Sequence, residues 1–305
     1  MKKFACLASC LFGLMLFSAD SNATQDSPWN LAFELGAEND SNVVIEDTDQ
    51  TSNTDNVNRQ LKLALGYKHK TQNNTKMSAN YSYFNKDYES VDTYDSDIHL
   101  LNVKVSHKFD AVKIGIAALF VDSTLDSEDF VQMKQISPSL SYFFNKTNYF
   151  HGSLNLGEKD FAHDDDRSAS QRGVSMNLYH LFNGLNHYIS AGFKFKDESA
   201  IESEYSYNMF EYKLSYVYRS RIFDFPSKLN LSYRLQKRIY EEEFNDDIGD
   251  FRHDTRNQLA ATYRIDWQQS WYSEFEVTRN LNESNLEAAD YDQTKFGFLV
   301  GYKLK

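Results

Sequence analysis

The sequence is short of cysteine, proline, long apolar runs and positive charge, and each shortage closes off a class of protein. Only two of its 305 residues are cysteine, Cys6 and Cys10. Both lie in a leader-like N-terminal stretch, so the chain beyond it cannot hold a disulfide framework. Three prolines in all leave long strands uninterrupted. No apolar run past the leader approaches the roughly 18 residues that a membrane-spanning helix needs. Acidic residues outnumber Lys and Arg by 44 to 32, a net charge of −12. That balance argues against nucleic acid as a partner, because phosphates need a basic face.

Residues 1–23 read as a signal peptide. Lys2 and Lys3 give a positive start, Phe4 to Phe17 an apolar stretch, and Ser21-Asn22-Ala23 a small-residue cleavage site before Thr24. Leu7-Ala8-Ser9-Cys10 has the form of a lipoprotein cleavage box, but the apolar run continues well beyond it. The ordinary leader is the favoured reading, with residues 24–305 as the exported domain.

What the chain has in abundance is aromatic: 23 phenylalanines and 20 tyrosines, against a mean hydropathy of −0.61. It is polar on average, yet rich in strand formers. The apolar period is two almost throughout. Leu31, Phe33, Leu35 and Ala37 alternate with Asn30, Ala32, Glu34 and Gly36; Leu61, Leu63, Leu65 and Tyr67 alternate with Lys62, Ala64, Gly66 and Lys68. The same beat runs through 112–120, 210–218 and 229–236. Short turns are predicted at 70–75, 109–111, 145–148, 183–186, 219–227 and 266–270. Long polar loops are predicted at 39–57, 86–97, 122–135, 160–172, 197–208, 241–255 and 280–291. Interleaved, they join about fourteen strands of roughly 9–11 residues each. The fold class is therefore all-β, a transmembrane antiparallel up-and-down barrel with short periplasmic turns and longer outer loops.

A soluble sandwich or lipocalin-like barrel also alternates. It lacks the long/short loop rhythm, and its apolar face would be aliphatic rather than Tyr-rich. Trp29, Trp267 and Trp271 all fall beside the short-turn boundary, where an aromatic girdle meets the headgroups. Lys295-Phe-Gly297-Phe-Leu-Val300-Gly-Tyr302 has the form of a terminal strand taken up by barrel-assembly machinery, although the chain runs on through Leu304 to Lys305. Pro138 cannot donate to a ladder, so the sixth strand is predicted to begin at or near it.

No motif points to catalysis or to a cofactor. His180 and His187 flank one turn and lack a third metal ligand. Asp164 to Asp166, Glu241 to Glu243, Asp246, Asp247, Asp250 and Asp254 resemble calcium loops in composition, without their ligand spacing. They read as solvated loop tips, with an added role in holding the cations that bridge lipopolysaccharide. No nucleophile, base and orienting group gather at one rim. The chain is predicted not to be an enzyme.

The strand parity predicts an inward set of Lys62, Lys68, Lys104, Lys108, Lys113, Lys194, Lys196, Lys213, Arg234, Arg238 and Arg264, with Lys295 and Lys303. The inward acids are fewer: Glu34, Glu211, Glu274 and Glu276. Such a lining favours small anionic or acidic-sugar solutes. Equally, these residues could simply solvate a water-filled or plugged lumen by pairing across strands.

Phe33-Glu-Leu-Gly-Ala-Glu-Asn-Asp-Ser-Asn-Val43 and Asp164-Asp-Asp-Arg-Ser-Ala169 resemble stretches in the barrel domain of the surface lipoprotein assembly modifier family. That resemblance implies a fourteen-stranded barrel and a part in moving lipoproteins to the cell surface. The family's tetratricopeptide domain is not expected ahead of the first strand, and no residue-level site carries over. The reading at this stage is an outer-membrane channel or surface-translocation component that touches lipid and lipopolysaccharide. The alternative is a non-conducting structural or adhesive barrel whose acidic loops contact lipopolysaccharide, cations or a partner protein.

Overall fold

The computed structural model describes residues 27–45, 48–240, 244, 248–268 and 270–304. The expected leader at 1–23 lies outside them. The strands are β1 (Trp29–Asp40), β2 (Val44–Ile45), β3 (Gln50–Thr51), β4 (Asn56–Lys70), β5 (Thr75–Tyr88), β6 (Ser96–Phe109), β7 (Val112–Leu125) and β8 (Glu128–Phe143). They continue as β9 (Asn148–Phe161), β10 (Ala169–Leu181), β11 (His187–Ala200), β12 (Tyr207–Ile222), β13 (Phe225–Ile239), β14 (His253–Asp266), β15 (Trp271–Ser284) and β16 (Tyr291–Leu304). All but β2 and β3 form one closed antiparallel barrel of fourteen strands, each paired with its sequence neighbour. It closes where β1 meets β16, from Leu31 opposite Leu304 to Asp40 opposite Lys295. No edge is left open, as a sheet in hydrocarbon requires.

Alternation decides which face meets what. Leu31, Leu65, Ile116, Leu156, Leu178, Leu214, Leu259 and Phe298 are each more than two-fifths exposed and point outward. A continuous apolar belt of this kind is not tolerated in water, and the barrel belongs in the outer membrane with its belt against lipid. The inner face carries small and polar groups, among them Ser82, Ser106, Ser141 and Ser215, all buried.

Four expectations need correction. The barrel strands run to 12–16 residues rather than 9–11. They continue past the apolar belt as polar ribbon, where Arg59 pairs with Glu89 in the open at 3.3 Å. The loop predicted at 122–135 is mostly strand, closed by a two-residue turn at Asp126 and Ser127, both left-handed (φ 50° and 64°). The turn predicted at 219–227 shrinks to Phe223 and Asp224, also left-handed (φ 47° and 66°). Paired left-handed residues match the twist of the flanking strands, but neither turn contains the glycine that usually announces one. Finally, Pro138 lies inside β8 rather than at its start, opposite Ile116. The β8–β9 pairing lapses at residues 137 and 138, and there the Ser137 hydroxyl donates to Asn155 Oδ1 at 2.9 Å instead.

Candidate functional site

The lumen holds a cavity of about 1040 Å3 bounded by β1, β4, β5 and β12 to β16. It runs from the short-turn end, at Asn186, Arg221, Pro226 and Lys303, up to Val43, Val44 and Ile45 in the first long loop. Eleven of its lining residues are Lys or Arg and five are Asp or Glu. In a chain of net charge −12, that is a local reversal of sign.

The acids and bases are not spread evenly. On β1, β4, β5 and β16 they match: Lys62 meets Glu34 at 3.2 Å, Lys86 meets Glu38 at 2.8 Å, and Lys295 meets Asp40 at 3.5 Å. Tyr272 of β15 donates to Glu34 and lies across Gly301, where a side chain of any size would strike its ring. On β12, β13 and β14 cations stand opposite cations instead. Lys213 faces Arg234, Arg219 faces Lys228, and Lys228 faces Arg264. Like charges directly opposed across a ladder are unfavourable, and acids stand beside them: Glu274 of β15 faces Arg264 and borders the same cavity. Arg264 is partly met by Asp266 at 2.7 Å, and Arg234 by Glu211 at 3.7 Å.

At the long-loop end, residues 41–45 and 48–55 reach over the barrel. Their two short strands, β2 and β3, pair with each other and carry Ile45 across the barrel mouth. Ile45 is 3% exposed and seats in a cup of Leu125, Phe130, Val131 and Phe161 from β7, β8 and β9, which lie far around the ring from β1. Asp49 locks the crossing. Arg252 grips both of its carboxylate oxygens at 2.6 and 2.8 Å, and Arg167 stands 3.7 Å away. Burial alone would raise the Asp49 pKa; the bonds from Arg252 and the charges of Arg252, Arg167 and Arg238 outweigh it and hold it below the ordinary carboxylate value. Arg252 also grips Asp254, and Arg167 rests 4.0 Å from the Tyr205 ring. A bidentate guanidinium–carboxylate pair in a dry setting is directional as well as strong.

The register places all fourteen lumen candidates on the inner face, but the cavity unites only some of them. Lys62, Lys213, Arg234, Arg264, Glu274 and Glu276 line it, as do Lys295, Lys303 and Glu34. Lys68, Lys104, Lys108, Lys113, Lys194, Lys196, Arg238 and Glu211 do not. Lys196 is held near the long-loop end by Glu198 and Tyr207, with Lys159 on the other Glu198 oxygen at 2.6 Å. Arg238 lines a small cleft beside Asp49 and Arg252. Sequence reasoning missed Arg219, Lys228 and Arg256. The nine-residue turn assumed at 219–227 hid the first and cut the strand just before the second, although the polar/apolar beat continues through Tyr218, Arg219, Ser220 and Arg221.

Trp29 packs on Tyr67, Trp271 on Tyr302 and Trp267 on Phe225, with ring centroids 4.8, 4.9 and 5.4 Å apart, all at the short-turn end. His180 and His187 do not meet; the Phe182 ring lies between them at 4.8 and 4.7 Å. Among the described residues no group of His, Cys, Asp and Glu could hold a metal. Asp254 is a buried strand residue gripped by Arg252 rather than a loop tip; Glu241 to Glu243, Asp246 and Asp247 lie outside the described residues.

A scan against protein-family models finds no match, and no curated protein matches in sequence. Solved structures do match in fold. An anion-selective porin from Comamonas acidovorans superposes with a TM-score of 0.53 at 9% identity, over 90% of this chain and 98% of that one. OprD from Pseudomonas aeruginosa gives 0.45 at 9% identity, over 90% and 95%. CdiB from Acinetobacter baumannii gives 0.49 at 11%, over 90% of this chain and 60% of that one. At 9% identity the Comamonas likeness shows the fold alone, and with the closed ring of fourteen strands it makes this chain a porin-like outer-membrane β-barrel.

Proposed function

We propose that the barrel is an outer-membrane channel for small anionic solutes, closed toward the outside by its first long loop. The observation that carries this reading is the cation excess in a cavity that reaches the short-turn, periplasmic end. Rows of Lys and Arg along a pore lower the barrier to anions and raise it to cations. Passage needs the Asp49 latch released and Ile45 withdrawn from its cup, so the wild-type channel conducts in rare openings. The reading involves no catalysis and no cofactor.

The test is planar-bilayer recording in a salt gradient, with the wild type beside a variant lacking residues 43–52. The loop deletion should conduct steadily, with a reversal potential displaced toward that of the anion. Cation preference, or silence of the deletion variant, contradicts the proposal.

The same cap favours a second reading, a non-conducting structural or adhesive barrel whose acidic outer loops contact lipopolysaccharide, cations or a partner protein. Silence of both proteins would favour it. A translocation role like that of the surface lipoprotein assembly modifier family is supported only by the short stretches at 33–43, which here build β1 and the root of the cap, and 164–169. In either reading Trp29, Trp267 and Trp271 serve as the periplasmic girdle, and β16 is the strand offered to the barrel-assembly machinery.

A further inference from the structure

The inner face of β6 to β9, away from the cavity, carries cations of a different standing. Elsewhere in the lumen a largely buried lysine comes with its acid: Lys62 with Glu34, Lys86 with Glu38, Lys159 with Glu198. Lys104 of β6 and Lys113 of β7 come with none. Among the described residues neither has an ion pair or a hydrogen bond. The charges that bear on Lys113 are those of Lys104 and Lys76, and those that bear on His151 of β9 are Lys104 and Lys113; no acid is among them. Both lysines and His151 are half-buried, so their partial loss of water is offset by no carboxylate.

The strands gather these groups around a shallow floor near the short-turn end. Along one inward rung Lys113 faces Ser141, and Ser141 faces His151. On the next, Ser106 faces Gly115 and Gly115 faces Ser139; on the one beyond, Lys104 faces Ala117. The row between the two lysines therefore holds nothing longer than serine. A Cβ on Gly115 would come within 3.1 Å of the Ser139 Oγ and 3.2 Å of the Ser106 Cβ, so the floor is closed and the room lies above it. The Ser141 hydroxyl pairs with His151 Nδ1 at 2.9 Å; with the hydroxyl donating, the ring proton sits on Nε2. Ser139 donates to the Gly115 carbonyl at 3.4 Å. The Ser106 hydroxyl has no hydrogen bond among the described residues. Lys76 stands exposed at the rim, opposite Ser106.

We infer that this recess binds a phosphate-class oxyanion, either inorganic phosphate or the terminal phosphate of a monoester. A dianion with several oxygens can take both ammonium groups, the imidazole N–H and the Ser106 hydroxyl together. Lysine serves phosphate as a point charge and needs no fixed fork. A single carboxylate brings one charge and two oxygens, too little for two unpaired lysines. None of these residues lines the large cavity, and binding here needs no conductance.

The test is isothermal titration of the detergent-solubilised barrel, in neutral chloride buffer, with inorganic phosphate, glycerol phosphate and succinate. Inorganic phosphate should bind saturably and more tightly than succinate by roughly tenfold or more, the worth of one hydrogen bond to a charged group. K104Q and K113Q should each weaken it by about the same factor and S106A by less; K104R should keep most of it, and Arg59→Gln, on the exposed ribbon, should leave it unchanged. Heat-modifiable gel mobility verifies that each barrel is folded, and S106A carries the test if the lysine variants are not. Exclusion of glycerol phosphate assigns the site to the free ion, and binding of both assigns it to a phosphate end group. Absence of saturable binding, succinate binding as tightly, or indifference to every folded variant of Lys104, Lys113 and Ser106 overturns the proposal. A silent barrel that binds phosphate sinks the channel reading and leaves this inference standing; an anion-preferring channel without the site does the reverse.

Discussion

At the long-loop end Asp49 is clasped by Arg252 and flanked by Arg167, Glu198 sits between Lys159 and Lys196, and Asp40 accepts from Gln293 and pairs with Lys295. At the short-turn end Arg219 faces Lys228 and Lys228 faces Arg264 across neighbouring strands, all bordering open volume. The side chains are of the same kinds; the surroundings differ. Where water is excluded, a charge without its opposite costs several kcal/mol, so acids and bases come in matched sets. Where the cavity admits solvent, like charges can stand together at small cost. The cation-rich stretch therefore borders the open part of the lumen, and the matched sets its water-excluded end.

The contrast breaks most sharply at the latch. Arg252→Ala leaves Asp49 and Asp254 buried without their main partner, and should cost the closed cap about 3–5 kcal/mol. Frequent channel openings and rapid proteolysis within 41–55 would report it; an unchanged closed state would count against the latch. Ile45→Ala empties the apolar cup at a cost of roughly 2–5 kcal/mol, and should raise opening without changing ion preference. The latch should also ignore mild acid. Its carboxylate has a lowered pKa when folded, so its contribution is present above the ordinary carboxylate value of 3.8 and is lost only as pH falls through a still lower point. Opening frequency flat from pH 7 to about pH 4.5 is the expected result, and a rise within that range would contradict the assigned partners. The smallest effect is at the exposed ribbon. Arg59→Ala removes an ion pair standing in the open and should cost barrel stability only about 0.2–1 kcal/mol, read by thermal unfolding in detergent.

Much of the fold was legible because a membrane barrel writes a period of two into every strand. Leu31 to Ala37 and Leu61 to Tyr67 show outward and inward residues by inspection, and the register follows once the turns are placed. The turns were harder. Phe223-Asp224 and Asp126-Ser127 take left-handed conformations that Gly or Asn normally signals, so the real hairpins were read as wider breaks. That error concealed Arg219, which lines the cavity. Pro138 misled for a related reason: the lost N–H falls on one side of β8 only, where a serine hydroxyl takes over the contact. The cap could not be read at all. Asp49 meets Arg252 through a separation of 203 residues, and nothing local in either segment announces the other.

The most direct measurement uses the absence of cysteine beyond position 10. A single cysteine at position 228 or 229, in a chain begun at Thr24 and so without Cys6 and Cys10, is set in vesicles and exposed to a charged thiol reagent that cannot cross lipid. Cysteine at 228 should react quickly from the short-turn side, slowly from the long-loop side, and quickly from both once 43–52 is deleted; cysteine at 229 should resist throughout. Reactivity at 229 rather than 228, or equal access to 228 from both sides of the intact barrel, would contradict a capped, cation-lined lumen.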